Sequence, residues 1–215
     1  MVQWRLRDGC MMQLQFDSFP VLGDSCLFPS VPAVQIFRAP TDNDKSFGNW
    51  LAKDWQNNRL DAPDYDTRPL KWRQLSDGTI QVTSGCTVRF LSGSIVTELL
   101  YTITGDGQLE IEAVFRPEGV LPELPRLGIV LPIRSGLDHF TWYGRGPWEN
   151  YPDRKASCFV GLWSGKVSEQ YTHYPRPQDS GNKEDVRFLE LTDDYGKGIR
   201  VEAVGKTFSA SALHY

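Results

Sequence analysis

Between Ser94 and Arg116 the chain alternates with a period of two, and no other feature restricts its fold as strongly. Ile95, Thr97, Leu99, Tyr101 and Ile103 fall on one side. Gly105-Asp-Gly-Gln108 is a turn signal, after which Leu109, Ile111, Ala113 and Phe115 resume the alternation with Glu110 and Glu112 opposite. Successive side chains of a strand point to opposite faces, so this pattern predicts a β-hairpin with one buried face.

The same reading extends along the chain. Ile80 with Val82, Val88 with Phe90, Leu127 to Ile133, Phe140 with Trp142, Arg187 to Leu191, Ile199 to Ala203 and Thr207 to Tyr215 all read as strands. Phe140 and Trp142 run into a glycine-rich corner, and Asp193 to Gly198 is a turn. Glycine and proline recur about every ten residues, as large antiparallel folds require. One helix is predicted, Gly48 to Asn58, with Leu51, Trp55 and Asn58 on one side. Asp61 to Pro69, polar and proline-bearing, reads as a surface loop. The 215 residues, 40% hydrophobic, favour one large all-β domain or two small ones, and a single domain spanning residues 1–215 is expected. The last strand pattern stops without a turn or polar tail, as if cut inside a larger sheet.

Charge and motifs exclude several classes. Lys and Arg number 23 against 27 Asp and Glu, which argues against nucleic acid as a partner. No basic run suits a membrane surface, and no window approaches the 18 or so apolar residues of a span. Met1-Val-Gln-Trp-Arg-Leu-Arg-Asp8 is too polar for the apolar heart of a signal peptide. The expectation is a soluble protein, of the cytoplasm if the chain is intact, with bacterial cytoplasm and periplasm both open for a fragment. Cys10, Cys26, Cys86 and Cys158 fit no zinc spacing and read as small buried thiols; a Cys10–Cys26 bridge would close a modest loop. His139, His173 and His214 have no metal-ligand spacing, so no metal is expected in this chain. Gly144-Arg-Gly146 leads into proline and reads as a turn rather than a phosphate cradle.

Three segments combine polar, aromatic and turn residues. The first is Phe37-Arg-Ala-Pro-Thr-Asp-Asn-Asp44. Its three Asx residues suit turns and helix caps, or hydrogen bonds to sugar hydroxyls oriented by Arg38. The second runs from Trp142 to Arg154 and holds four aromatics, two carboxylates and two arginines. It suits either a buried corner of Arg–Asp pairs or a sugar site, with rings stacked on a pyranose and charges on its hydroxyls. Glu149 and Asp153 are not read as a glycosidase acid and nucleophile pair, because Pro147 and Pro152 oppose the helix that would set their separation. The third, Tyr171 to Asn182, reads as a surface loop or a further set of amide and carboxylate contacts.

These three segments carry a resemblance. Arg38-Ala-Pro-Thr-Asp-Asn-Asp44, Gly144-Arg-Gly-Pro-Trp-Glu-Asn-Tyr-Pro-Asp-Arg154 and Pro177-Gln-Asp-Ser-Gly-Asn182 resemble, in order and spacing, the C-terminal domain of large β-galactosidases of glycoside hydrolase family 2. The likeness covers roughly Val31 to Tyr215 and is weak over residues 1–30. It implies a β-supersandwich similar to that of galactose mutarotase, truncated at its C-terminal end. It also implies a separate (β/α)₈ barrel whose two glutamates cleave terminal β-D-galactosides with retention, assisted by magnesium and sodium. This chain then has no catalytic residue and no cofactor of its own. Its partners are the other domains of a homo-oligomeric parent and the galactoside. The family's aromatic contact to galactose would follow Tyr215. Mutarotase-like chemistry would need a general acid and base, for which only Glu149 and His173 offer themselves.

Three roles remain open on the residues: part of a galactoside hydrolase, a stand-alone carbohydrate-binding module, or a structural interface domain. Fold does not choose among them. The candidate cleft has Arg38, Asp42, Asn43 and Asp44 on one wall, and Arg145, Trp148, Glu149, Asn150, Tyr151, Asp153 and Arg154 on the other, with Gln178 and Asn182 beside them. A binding cleft needs these groups open and convergent. A structural domain has them paired with one another.

Overall fold

The computed structural model describes residues 2–7, 10–16, 19–20, 33–45 and 51–214, with side chains described from residue 34. Among the described residues the chain is all-β with two short α-helices, and it divides into two compact units, residues 1–134 and 135–215. Among the described residues no helix is long and apolar enough to cross a membrane.

In the first unit β1 (Val2–Arg7), β2 (Cys10–Phe16) and β3 (Phe19–Pro20) form an antiparallel sheet, and β4 (Ala33–Gln35) pairs with β9 (Gly128–Val130). A four-stranded antiparallel meander follows: β5 (Asp64–Gln74), β6 (Ile80–Phe90), β7 (Gly93–Ile103) and β8 (Leu109–Gly119). The predicted hairpin is β7–β8, in register from Ile103 opposite Leu109 to Gly93 opposite Gly119. Its inward row, Ile95, Thr97, Leu99, Tyr101 and Ile103, is buried throughout. The turn closes with Asp106 accepting from the Thr104 hydroxyl and from the Gln108 N–H. Val34, Ile36, Trp55, Leu60, Cys86, Val88 and Ile95 form the core here, and the Trp55 indole donates to the Glu123 carbonyl at 2.8 Å.

Three expectations need correction. Residues 61–69 are not a loop, because β5 begins at Asp64 and passes through Pro69. Proline is tolerated on this outer strand, at a register shift between Arg68 and Lys71 where the ladder is already broken. The alternation from Leu127 to Ile133 becomes a strand only over Gly128–Val130, the stretch opposite the three residues of β4. Helix α1 (Asp42–Lys45) was not anticipated, whereas α2 (Leu51–Asn57) lies within the predicted helix and buries Trp55 as expected. Residues 48–50 lie outside the described residues, as does the Cys10–Cys26 pairing. Cys86 and Cys158 are buried.

In the second unit β10 (His139–Gly146) is central to a sheet ordered β11 (Phe159–Lys166), β10, β13 (Phe188–Thr192), β14 (Gly198–Glu202). A single 3₁₀ turn, Val167–Gln170, follows β11, and β12 (Lys183–Val186) pairs with β15 (Phe208–Ala210). Residues 211–214 are not strand, so the alternation expected up to Tyr215 is realised only where β12 supplies a partner. The glycine-rich corner also moves. Gly144 and Gly146 lie inside β10, and the chain turns at the cis Gly146–Pro147 bond. They are close-approach positions rather than a turn. A Cβ on Gly144 would sit 3.0 Å from Val186, and one on Gly146 would sit 2.6 Å from the Trp163 ring.

Candidate functional site

The first motif segment is built around Asp44. Asp42, Asn43 and Asp44, which suit sugar hydroxyls by composition, are the first three residues of α1, and Asp44 is buried. It takes the Arg38 guanidinium at 2.6 Å, the Thr41 N–H at 2.6 Å and the Thr41 hydroxyl at 2.8 Å. Burial alone would raise its pKa, but the hydrogen bonds from Arg38 and Thr41 outweigh burial and hold the carboxyl below its usual range. Arg38 in turn lies 5.3 Å from the Trp55 ring centre. Asp42 and Asn43 are exposed. Asp44→Asn is expected to destabilise the chain by about 2 kcal/mol at pH 7, the worth of charge-assisted hydrogen bonds. A depressed carboxyl stabilises above its unfolded pKa, and that stability is lost as pH falls through the folded value. The difference between the two proteins in urea unfolding should therefore be present at pH 7 and shrink in acid.

The second and third segments meet in one network inside the second unit. Beyond Pro147 the chain folds back so that Glu149 is almost covered, 9% exposed at its side chain. Its carboxylate takes the Arg154 guanidinium, the Tyr174 hydroxyl, the Thr172 hydroxyl at 3.2 Å and the Gly181 N–H at 2.8 Å. One carboxylate thereby fastens the loop from Tyr171 to Asn182 at three points along its length. Burial and the hydrogen bond to Glu149 both raise the Tyr174 pKa.

Asn150 binds the segments together from the other side. Its N–H donates to the Asn182 carbonyl at 2.8 Å, and the Asn182 amide donates back to the Asn150 carbonyl at 2.7 Å. Its side-chain amide donates to the Trp148 carbonyl at 3.0 Å and accepts from the Glu184 N–H at 2.9 Å. Tyr151 is buried and donates to Asp179 at 3.0 Å. Arg145 donates to Asp185 at 2.5 Å and to the Lys155 and Cys158 carbonyls at 3.1 and 2.8 Å. The hydrogen bond from Arg145, helped by the Lys155 ammonium and against burial, holds the Asp185 carboxyl below its usual range.

Beneath the corner lies a residue that the sequence reading missed. Lys183 is 2% exposed, with its ammonium 4.8 Å from the Trp142 ring centre and 3.3 Å from the Pro147 carbonyl. Burial lowers its pKa to about 8, while the charge of Glu149 and the Cys158 thiol pull the other way. Its only signal in the sequence is position, directly after Asn182. Asp185, Thr172 and Tyr174 were missed as partners for the same reason: each is ordinary in composition and distant in sequence from the group it meets.

The candidate residues thus fall into two sets. Arg38 and Asp44 in the first unit, and Arg145, Glu149, Asn150, Tyr151 and Asn182 in the second, are engaged inside their own units. Asp42, Asn43, Trp148 and Asp153 are exposed, Arg154 is exposed while it holds Glu149, and Gln178 is half-buried. No group of three or more His, Cys, Asp or Glu side chains is placed to hold a metal among the described residues.

A family model described as beta galactosidase small chain matches residues 2–215. The chain belongs to that family. The small-chain match takes in the first thirty residues, where the motif resemblance was weak. Among curated relatives, the chain is similar to a beta-galactosidase of Priestia megaterium, 36% identical over 83% of this chain and 17% of the relative. It is also similar to one of Lactobacillus delbrueckii subsp. bulgaricus, 31% identical over 86% of this chain and 18% of the relative. A third, from an Arthrobacter species, is 30% identical over 80% and 18%. The small-chain sequence therefore spans about a sixth of the length of the relatives it matches.

Proposed function

We propose that this chain is the C-terminal part of a retaining glycoside hydrolase that cleaves terminal β-D-galactosides of the lactose type, and that its own role is to brace and shape rather than to catalyse. One observation carries the architectural half. Glu149, the carboxylate best suited to chemistry, is consumed by Arg154, Tyr174, Thr172 and Gly181, leaving it no lone pair aimed at a substrate. On this reading the catalytic glutamates, magnesium and sodium belong to a barrel elsewhere in a homo-oligomeric parent. The chain then works through the parent's other domains, as a β-supersandwich of the mutarotase type.

A second reading has one specific observation in its favour: Trp148 is 72% exposed next to the buried Asn150 and Tyr151, with exposed Asp153 close by in sequence. An exposed indole beside a charged group suits a sugar ring. Titrating the chain with galactose and lactose, read by tryptophan fluorescence and calorimetry, separates the two. The architectural reading expects no saturation below about 10 mM, an affinity worth under roughly 3 kcal/mol, and no cleavage of a chromogenic β-galactoside. Saturation that disappears in Trp148→Ala would replace it with a binding role. The hydrolase half fails if the parent polypeptide leaves the same galactoside intact, or releases it with inverted configuration.

A further inference from the structure

β11 is the outermost strand of its sheet. β10 takes one of its edges, and no strand takes the other among the described residues. A bare edge offers a row of N–H and C=O groups to any passing strand, so natural edges are guarded by charge, proline or bulges. The opposite edge of the same sheet is guarded: Arg200 on β14 pairs with Glu202 and with Glu190. β11 is not. Phe159-Val-Gly-Leu-Trp-Ser-Gly165 contains no charge and no proline, and it pairs with β10 residue for residue without a bulge. Phe159, Val160 and Leu162 are 75%, 43% and 66% exposed, and they stand on both faces of the strand.

We propose that β11 pairs antiparallel with β11 of a second copy of this chain, about a two-fold axis at Leu162, joining two four-stranded sheets into one. The strand is complementary to itself in that register. Phe159 falls opposite Gly165 and Trp163 opposite Gly161 on one face. Val160 falls opposite Ser164, and Leu162 opposite its own copy, on the other. Directly opposed residues share a face of the sheet, so each bulky side chain meets a small one except at the axis, where two leucines meet. Lys166 lies at the far end from its copy, so no like charges are opposed. Tyr143, beside Leu162 in the ladder, and Trp148, whose carbonyl lies 3.8 Å from the Cys158 sulfur next to Phe159, extend the patch. At roughly 150–250 Å² per aromatic side chain, Phe159, Tyr143 and Trp148 at their exposures offer on the order of 400 Å². That is about half of the ~800 Å² per partner of a standard interface before Val160, Leu162 and the backbone are counted. Because the pairing is isologous, two copies use up both β11 edges.

Sedimentation velocity of the full chain between about 1 and 200 µM tests this. The expected result is a concentration-dependent dimer that Leu162→Lys weakens at least tenfold, with near-ultraviolet circular dichroism unchanged. Leu162→Cys, on the axis, should give a covalent dimer on mild oxidation that neither the parent chain nor Leu91→Cys, equally exposed elsewhere, produces. A chain that stays monomeric throughout, or a dimer indifferent to Leu162→Lys, overturns the proposal. If Leu162→Lys disturbs the fold, the cysteine variant decides alone, and absence of its cross-link overturns the pairing.

Discussion

Asn150→Ala is expected to destabilise the second unit by about 3–5 kcal/mol, enough to unfold most of it at ordinary temperature. Asn150 is fully buried, and its side chain both gives and receives. Truncation leaves the Glu184 N–H without its acceptor and the Trp148 carbonyl with only the weak Cys158 thiol as donor, at a buried position. An orphaned buried polar group costs more than a hydrogen bond contributes, because the group was desolvated to make that bond. Asn150→Asp should fare no better. It keeps an acceptor for Glu184 but sets a carboxylate against the Arg145 and Trp148 carbonyls, where the amide now donates. Urea unfolding followed by tryptophan fluorescence measures both variants. A loss below about 1 kcal/mol would mean that the corner is held by packing and that the amide network is incidental.

Lys183→Met is expected to stabilise the chain at pH 7 by up to about 3 kcal/mol. A lysine held at about 8 rather than 10.5 is one whose charge the fold disfavours by about that much. The Pro147 carbonyl and the Trp142 face offset only part of the cost of burying an ammonium. The sign with pH follows. Between about pH 8 and 10.5 the unfolded chain holds a proton on this residue that the folded chain has released, so stability from this group rises with pH across that window. Lys183→Met removes the rise. Tyr65 and Tyr174, both raised chiefly by burial, work in the opposite sense near pH 10 and above. Comparing the two proteins at pH 7 and pH 9.5 cancels their contribution. A variant less stable than the parent chain at pH 7, with the same pH profile, would show that the ammonium is welcome where it lies.

How legible each part was in the sequence follows from what holds it. The β7–β8 hairpin was readable in full, because one buried face and one turn fix both strands and neither depends on anything remote. β5 was not, because an outer strand exposed on most positions has no alternation to show, and its proline argued against it. β9 and β15 were over-read: their patterns continue beyond the short partners that β4 and β12 provide. The motif segments stood out by composition, but composition is blind to direction. The same Glu, Asn and Arg residues suit an open cleft or a closed knot, and only the positions of Thr172, Tyr174, Gly181 and Glu184 tell which. Lys183 shows the limit most plainly, since nothing in its neighbours announces that an ammonium will be enclosed.

The meander of β5 to β8 places its strands in the sheet in the order in which they occur in the chain. Every pairing in it closes across a short turn, so each step fixes few residues before it gains a ladder. The sheet around β10 cannot assemble that way. β10 takes β13 as a neighbour only after the whole stretch from Pro147 to Arg187 has been set aside, a stretch that contains the buried corner and its loop. The chain therefore carries a quick half and a slow half. During synthesis or refolding, the meander is the part that can be finished while the segment from Pro147 to Arg187 is still searching for its partners.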